Sequence, residues 1–178
     1  MSKLRLVFET HATTTDNEEG RATGWLPGEL SAIGREQAAE LGERRRGDGI
    51  AAVFCSDLAR AVATTQLAFG DRLPVLLDWR LRECDYGSWN GGSAAEMHRS
   101  RADFLDAPYP GGESWRQAVD RVAGVLPDLV TRWSGRRVLV IGHLATRFAL
   151  DERLAGVPLA QSLRAEFEWQ PGWEYVLR

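Results

Sequence analysis

The chain holds three histidines, and two of them, His11 and His143, sit in matching places. His11 lies just beyond the apolar run Leu4 to Phe8, and His143 just beyond Val138 to Ile141. Arg60 falls in the first turn of a helix expected after the run Ala51 to Cys55. Glu83 follows the run Val75 to Leu77, within Leu81-Arg82-Glu83-Cys84-Asp85-Tyr86-Gly87. Two imidazoles, a guanidinium and a carboxyl suit phosphoryl transfer. A neutral imidazole nitrogen is a competent nucleophile toward phosphorus. A guanidinium matches the paired oxygens of a phosphate, and a protonated carboxyl can donate to a leaving alcohol. Each residue alone also has a structural reading, as a hydrogen-bonding histidine or a surface charge. Zinc is a further reading of two histidines and a carboxylate, but neither HxxxH nor HxH spacing occurs.

The elements that must position these groups follow from the patterning. Apolar runs of strand length alternate with helical stretches, which predicts an α/β fold, a three-layer sandwich around a mostly parallel sheet. In such sheets ligands bind outside the carboxyl ends of the strands, where both histidines are expected. The polar stretch Thr10 to Leu30 is long for a structural connection, as functional loops are. Ser31 is the expected N-cap of a helix reaching about Arg46. Ser56 or Asp57 is the expected cap of a second helix that Gly70 ends. Glu113 to Trp133 reads as a third, kinked or split by Pro127, and a fourth begins near Ala145. Arg164 to Trp169 and Trp173 to Leu177 read as short extended segments around the Pro171-Gly172 turn. Arg44 to Arg46 read as a solvated helix end.

The 178 residues, 44% hydrophobic and 26% charged, suit one domain, in which folding buries roughly 70% of the chain's surface without metal or disulfide. A formal charge of -3 excludes a broad basic footprint for nucleic acid. Met1 to Phe8 lacks the apolar core of a signal peptide, and no apolar run approaches the ~20 residues of a membrane span, so a cytoplasmic protein is expected. Cys55 and Cys84 have no metal spacing and read as small buried hydrophobes. No cofactor is expected, and a homodimer is compatible with the sequence.

Five segments, in order, resemble the histidine phosphatases, the superfamily that includes cofactor-dependent phosphoglycerate mutases. They are Leu6-Val7-Phe8-Glu9-Thr10-His11-Ala12 with Asn17; Gly20-Arg21-Ala22-Thr23-Gly24-Trp25 leading to Leu30-Ser31; Ser56-Asp57-Leu58-Ala59-Arg60-Ala61; Leu81-Arg82-Glu83 with Gly87, Trp89 and Gly91; and Pro110-Gly111-Gly112-Glu113-Ser114 before Val138 to His143. The resemblance implies a phosphoglycerate mutase-like fold. It implies His11 as phosphoryl acceptor, Arg60 as phosphate clamp, Glu83 as proton donor and acceptor, His143 as stabiliser of the transferring group, and Asn17 as a phosphate contact. The chain departs from the family at Thr10-His11-Ala12, where Arg-His-Gly is usual, and at Leu144, where Gly is usual. Arg147, one helical turn beyond His143, and Arg21 are the candidates to restore the missing charge. Thr10, Thr23 and Leu144 complete the expected substrate-binding set. A cap is expected from about residue 86 to 110, carrying Trp89, Met97, His98, Arg99, Arg101 and Phe104.

The expected activity is hydrolysis of a small phosphomonoester through phosphohistidine at His11, without metal. The alternatives are a phospho-ligand-binding protein of the same fold and a phosphomutase.

Overall fold

The computed structural model describes residues 3–178. In chain order it forms β1 (Leu4–Thr10), α1 (Thr15–Glu18), β2 (Arg21–Ala22), α2 (Ala32–Arg44), β3 (Ile50–Cys55), α3 (Ala59–Phe69) and β4 (Val75–Leu77). Then come β5 (Gly92–Ser93), α4 (Ala94–Ser100), α5 (Trp115–Ala123), α6 (Leu126–Trp133), β6 (Arg137–Gly142), α7 (Leu144–Leu150), α8 (Leu159–Ser162) and β7 (Trp173–Leu177).

Strand alternation builds the layers. Leu4, Leu6 and Phe8 of β1, with Val138 and Val140 of β6, pack on α5 to α7. The intervening Val7, Leu139 and Ile141, with Val53 and Cys55 of β3, meet Leu41 of α2 and Ala61, Ala68 and Phe69 of α3. Strands buried on both faces read as unbroken apolar runs, which is why these were visible in the sequence. The five-stranded sheet has the order β4-β3-β6-β1-β7, parallel except for β7, which runs antiparallel to β1. β1 leads by way of α2 to β3, and the chain returns later to lay β6 between them. This reversal opens a crevice at the carboxyl ends of β1, β3 and β6.

Ser31 caps α2 as expected, its side chain accepting from the Gly34 amide. The third expected helix is two, α5 and α6, and the break at Gly124 and Val125 precedes Pro127, which sits in the first turn of α6. Three expectations need correction. The N-cap of α3 is Leu58, with no side-chain cap bond, because Asp57 is drawn into a two-pronged pair with Arg82 and Ser56 turns to His143. Arg164 to Trp169 forms no strand: α8 runs out through a turn, and only β7 adds to the sheet. Arg44 and Arg45 are not a solvated helix end. Both bind Glu9, which is 2% exposed, Arg45 at 2.6 and 2.9 Å and Arg44 at 3.2 Å to each oxygen, and only Arg46 of the three lies in solvent. A carboxylate buried at the end of β1 needs such partners.

Candidate active site

A cavity of about 660 Å³ opens over the carboxyl ends of β1 and β6. His11, Arg60, Glu83 and His143, named from sequence, all line it. Each is delivered by a strand end or by the helix that follows one.

Arg60 is the hub. It sits in the first turn of α3, 2% exposed, and donates through Nε to Nε2 of His11 at 3.2 Å and through one terminal nitrogen toward Nδ1 of His143 at 3.3 Å. It also donates to the Gly24 carbonyl at 2.9 Å and the Leu26 carbonyl at 3.3 Å, which fixes the fork. No carboxylate forms an ion pair with it among the described residues; burial lowers its pKa, against the more distant charge of Glu83.

These contacts define both tautomers, because a guanidinium only donates and a carbonyl only accepts. Nδ1 of His11 lies 2.8 Å from the Ala12 carbonyl and so carries the proton, leaving the Nε2 lone pair toward Arg60. His143 is the reverse: Nδ1 accepts from Arg60, and Nε2 donates to the Ser56 hydroxyl at 2.9 Å. The two rings lie 5.0 Å apart. His11 is shielded by protein yet open to the cavity. Its pKa falls to about 3, through burial first and the Arg60 charge second. Burial, then Arg60, holds His143 well below the usual imidazole range. Both rings are therefore neutral near pH 7.

Glu83 is clasped by main-chain amides. Cys84 and Ala145 donate to Oε1 at 2.9 and 3.0 Å, and Leu144 donates to Oε2 at 3.2 Å. Burial pushes its pKa up; those amides and Arg60 pull the other way, and burial prevails. Its loop is braced by Arg121, which donates to the carbonyls of Arg82 and Glu83 and pairs with Glu113 at 2.7 Å. The close approach of this loop to the segment Pro110 to Glu113 requires glycine: a Cβ on Gly87, whose φ is +55°, would lie 2.1 Å from the Pro110 carbonyl oxygen.

Thr10, Asn17, Arg21, Thr23 and Leu144 also line the cavity. The Asn17 carbonyl accepts from the Thr14 amide, Thr23 donates to Asp16 at 2.8 Å, and Arg21 pairs with Glu19 at the exposed rim. Leu144 contributes its amide to Glu83, a role that its side chain does not decide. Arg147 is the correction. Its guanidinium pairs with Asp151 at 2.7 Å, one turn along the same helix, and lies 4.3 Å from the Trp173 ring centre, so it is not brought to the cavity. The position before His11 keeps only the Thr10 hydroxyl.

The expected cap contributes Tyr86, Ala94, Met97, His98 and Arg101 to the cavity wall. Sequence reasoning missed Ser56 as partner of His143, because a serine before a helix reads first as a cap. It also missed Glu9, Arg44, Phe167 and Trp169, which line the cavity. The alternation Glu166-Phe167-Glu168-Trp169 was the available sign of rings left uncovered. Cys55 and Cys84 are free, buried thiols; burial pushes Cys55 up to about 12 and Cys84 further.

The profile of the histidine phosphatase superfamily (branch 1) matches residues 6–171. The glucosyl-3-phosphoglycerate phosphatase of Mycolicibacterium vanbaalenii is 36% identical over 176 residues, covering 89% of this chain and 77% of that protein. Phosphoserine phosphatase 1 of Hydrogenobacter thermophilus is 29% identical over 167 residues, covering 89% and 79%. Among solved structures, Bacillus stearothermophilus YhfR superposes with a TM-score of 0.86 at 27% identity, covering 96% of this chain and 90% of that one. No helix among the described residues is long and apolar enough to cross a membrane.

Proposed function

The chain belongs to the histidine phosphatase superfamily, and from that premise we propose that it hydrolyses a small phosphomonoester through a phosphohistidine on His11. The observation that carries this reading is Arg60 bonded to the facing nitrogens of two neutral imidazoles, at 3.2 and 3.3 Å. A phosphoryl group entering there takes over those donors, which frees the Nε2 lone pair of His11. The P–N bond forms as the P–O ester bond breaks in line with it, and Glu83 gives its proton to the departing oxygen. His143, held by Ser56, and Arg60 face the charge on the equatorial oxygens. In the second half Glu83 takes a proton from water, water attacks phosphorus, the P–N bond breaks, and inorganic phosphate leaves.

The phosphatase names of its relatives support hydrolysis as the outcome. A guanidinium already stands between the imidazoles, neutralising charge that a divalent ion would otherwise meet, so the reaction is proposed to be metal-independent. The test is release of phosphate from p-nitrophenyl phosphate and a metabolite panel, with and without EDTA. Turnover that survives EDTA and vanishes in His11→Ala is expected. Loss in EDTA restored by a divalent ion overturns metal independence. An isomerised ester means a mutase, and saturable binding without turnover means a binding protein.

A further inference from the structure

The cavity extends well beyond the space over His11, toward a wall built from the tail. Phe167 and Trp169 line it while remaining 45% and 60% exposed. Large rings left open on a concave surface mark a place where something apolar binds. Both rings are held in position. Phe167 packs against Trp173 with ring centres 6.1 Å apart. The Arg44 guanidinium lies 5.8 Å from the Trp169 ring centre and is itself anchored to Glu9. The segment that carries the rings is tied to the cap: Arg101 donates to the carbonyls of Leu163 and Ala165, and His98 pairs with Glu166 at 3.0 Å. Rings fixed in this way present a stacking surface without first having to be ordered.

Most of the charged groups at this end are engaged by the protein itself. Of the guanidinium groups lining the cavity, Arg21 is paired with Glu19, Arg44 with Glu9, and Arg101 is engaged by two carbonyls. Arg60 serves the phosphoryl position. Arg44 shares Glu9 with Arg45 and keeps a buried Nε without a partner, and Glu40 adds a carboxylate to the wall. A volume of about 660 Å³ sits inside the range of small-molecule sites, roughly 300–1,000 Å³, with room for an alcohol of substantial size.

We propose that the substrate is a phosphomonoester whose alcohol carries a planar heteroaromatic ring stacking on Trp169 and Phe167. The reaction part of this inference rests on the phosphatase reading; the ring subsite does not. The test compares kcat/KM of the full chain for AMP and riboflavin 5′-phosphate with that for glycerol 3-phosphate and 3-phosphoglycerate. At least one ring-bearing ester is expected to lead both aliphatic ones by about ten-fold or more, the effect of stacking one base on one ring. Trp169→Ala and Phe167→Ala should each lower that ratio several-fold, and Trp169→Phe should largely restore it. Calorimetric titration of adenosine and riboflavin reads the subsite without turnover. Equal rates for ring-bearing and aliphatic esters, or a ratio unmoved by both alanine variants, overturns the proposal. If no ester is hydrolysed yet adenosine or riboflavin binds and Trp169→Ala abolishes that binding, the phosphatase reading falls and the ring subsite stands. Absence of both turnover and binding overturns the subsite as well.

Discussion

Removing the Arg60 guanidinium is the sharpest perturbation, because among the described residues no other guanidinium donates to His11 or His143. The position before His11 offers a hydroxyl, Arg147 is held by Asp151 and Trp173, and Arg21 is paired at the rim. A hydrogen bond from a charged group contributes about 1.5–3 kcal/mol, and a fork on a phosphoryl group makes two, so about 3–6 kcal/mol is at stake. At 1.36 kcal/mol per factor of ten, Arg60→Ala should lower kcat/KM by roughly 10²-fold to 10⁴-fold. Arg60→Lys keeps the charge without the fork and should recover only part of it. Arg60 also supports the carbonyls of Gly24 and Leu26, so thermal melts must accompany the kinetics. Added phosphate should raise the melting temperature of the parent chain and not of the variant, since only a state that binds the anion is stabilised by it. A variant that melts like the parent yet keeps kcat/KM within ten-fold would show that the Arg60 fork does not carry phosphoryl stabilisation.

Glu83→Gln should cost on the order of 10²-fold to 10⁴-fold with an alkyl phosphate and far less with p-nitrophenyl phosphate, whose leaving group needs no proton; equal losses would remove Glu83 as proton donor. Because burial raises the Glu83 pKa, the decline of kcat on the alkaline side for an alkyl phosphate should disappear in Glu83→Gln. Arg147→Ala should leave kcat/KM within about three-fold while lowering the melting temperature, since it loses Asp151 and the Trp173 face, and a ten-fold kinetic loss would contradict the geometry. Folding holds His11 at about 3 and His143 well below its ordinary 6.5, so below pH 6.5 the unfolded chain binds protons that the folded chain does not. Stability should therefore fall on acidification through that window, by up to about 1.4 kcal/mol per pH unit per histidine. Glu83, raised above 4.5 in the folded state, opposes this but offsets only one of the two. Urea melts between about pH 7 and pH 5 that show no slope would be the contrary result.

The parts of the site that were legible in the sequence are those fixed by local rules. His11 and His143 follow runs whose residues alternate between two buried faces, and a strand's end in a parallel sheet is a predictable place. Arg60 was readable because the first turn of the helix after β3 must point at the same edge. What failed depended on where long side chains go. Arg147 has the right spacing from His143, but Asp151 lies four residues further on, and an i, i+4 pair on one helix face captures it. Arg44 and Arg45 look like any basic helix end until β1 brings Glu9 beneath them, a meeting set by tertiary packing alone. Ser56 was misassigned for a related reason: its hydroxyl accepts from the Leu58 amide at 3.3 Å but also meets a histidine 87 positions away at 2.9 Å. The aromatic wall lies in a stretch with no periodic pattern, where sequence rules carry least.

During turnover, phosphorus should become bonded to Nε2 of His11. Acid-sparing quench of the enzyme in mid-turnover with ³²P-labelled substrate, followed by alkaline digestion and mass spectrometry, tests it most directly. An acid-labile, base-stable phosphoryl group is expected on the peptide containing His11, enriched in Glu83→Gln for a substrate with a good leaving group and absent from His11→Ala. Label on another residue, or turnover without label in a variant lacking His11, would contradict it.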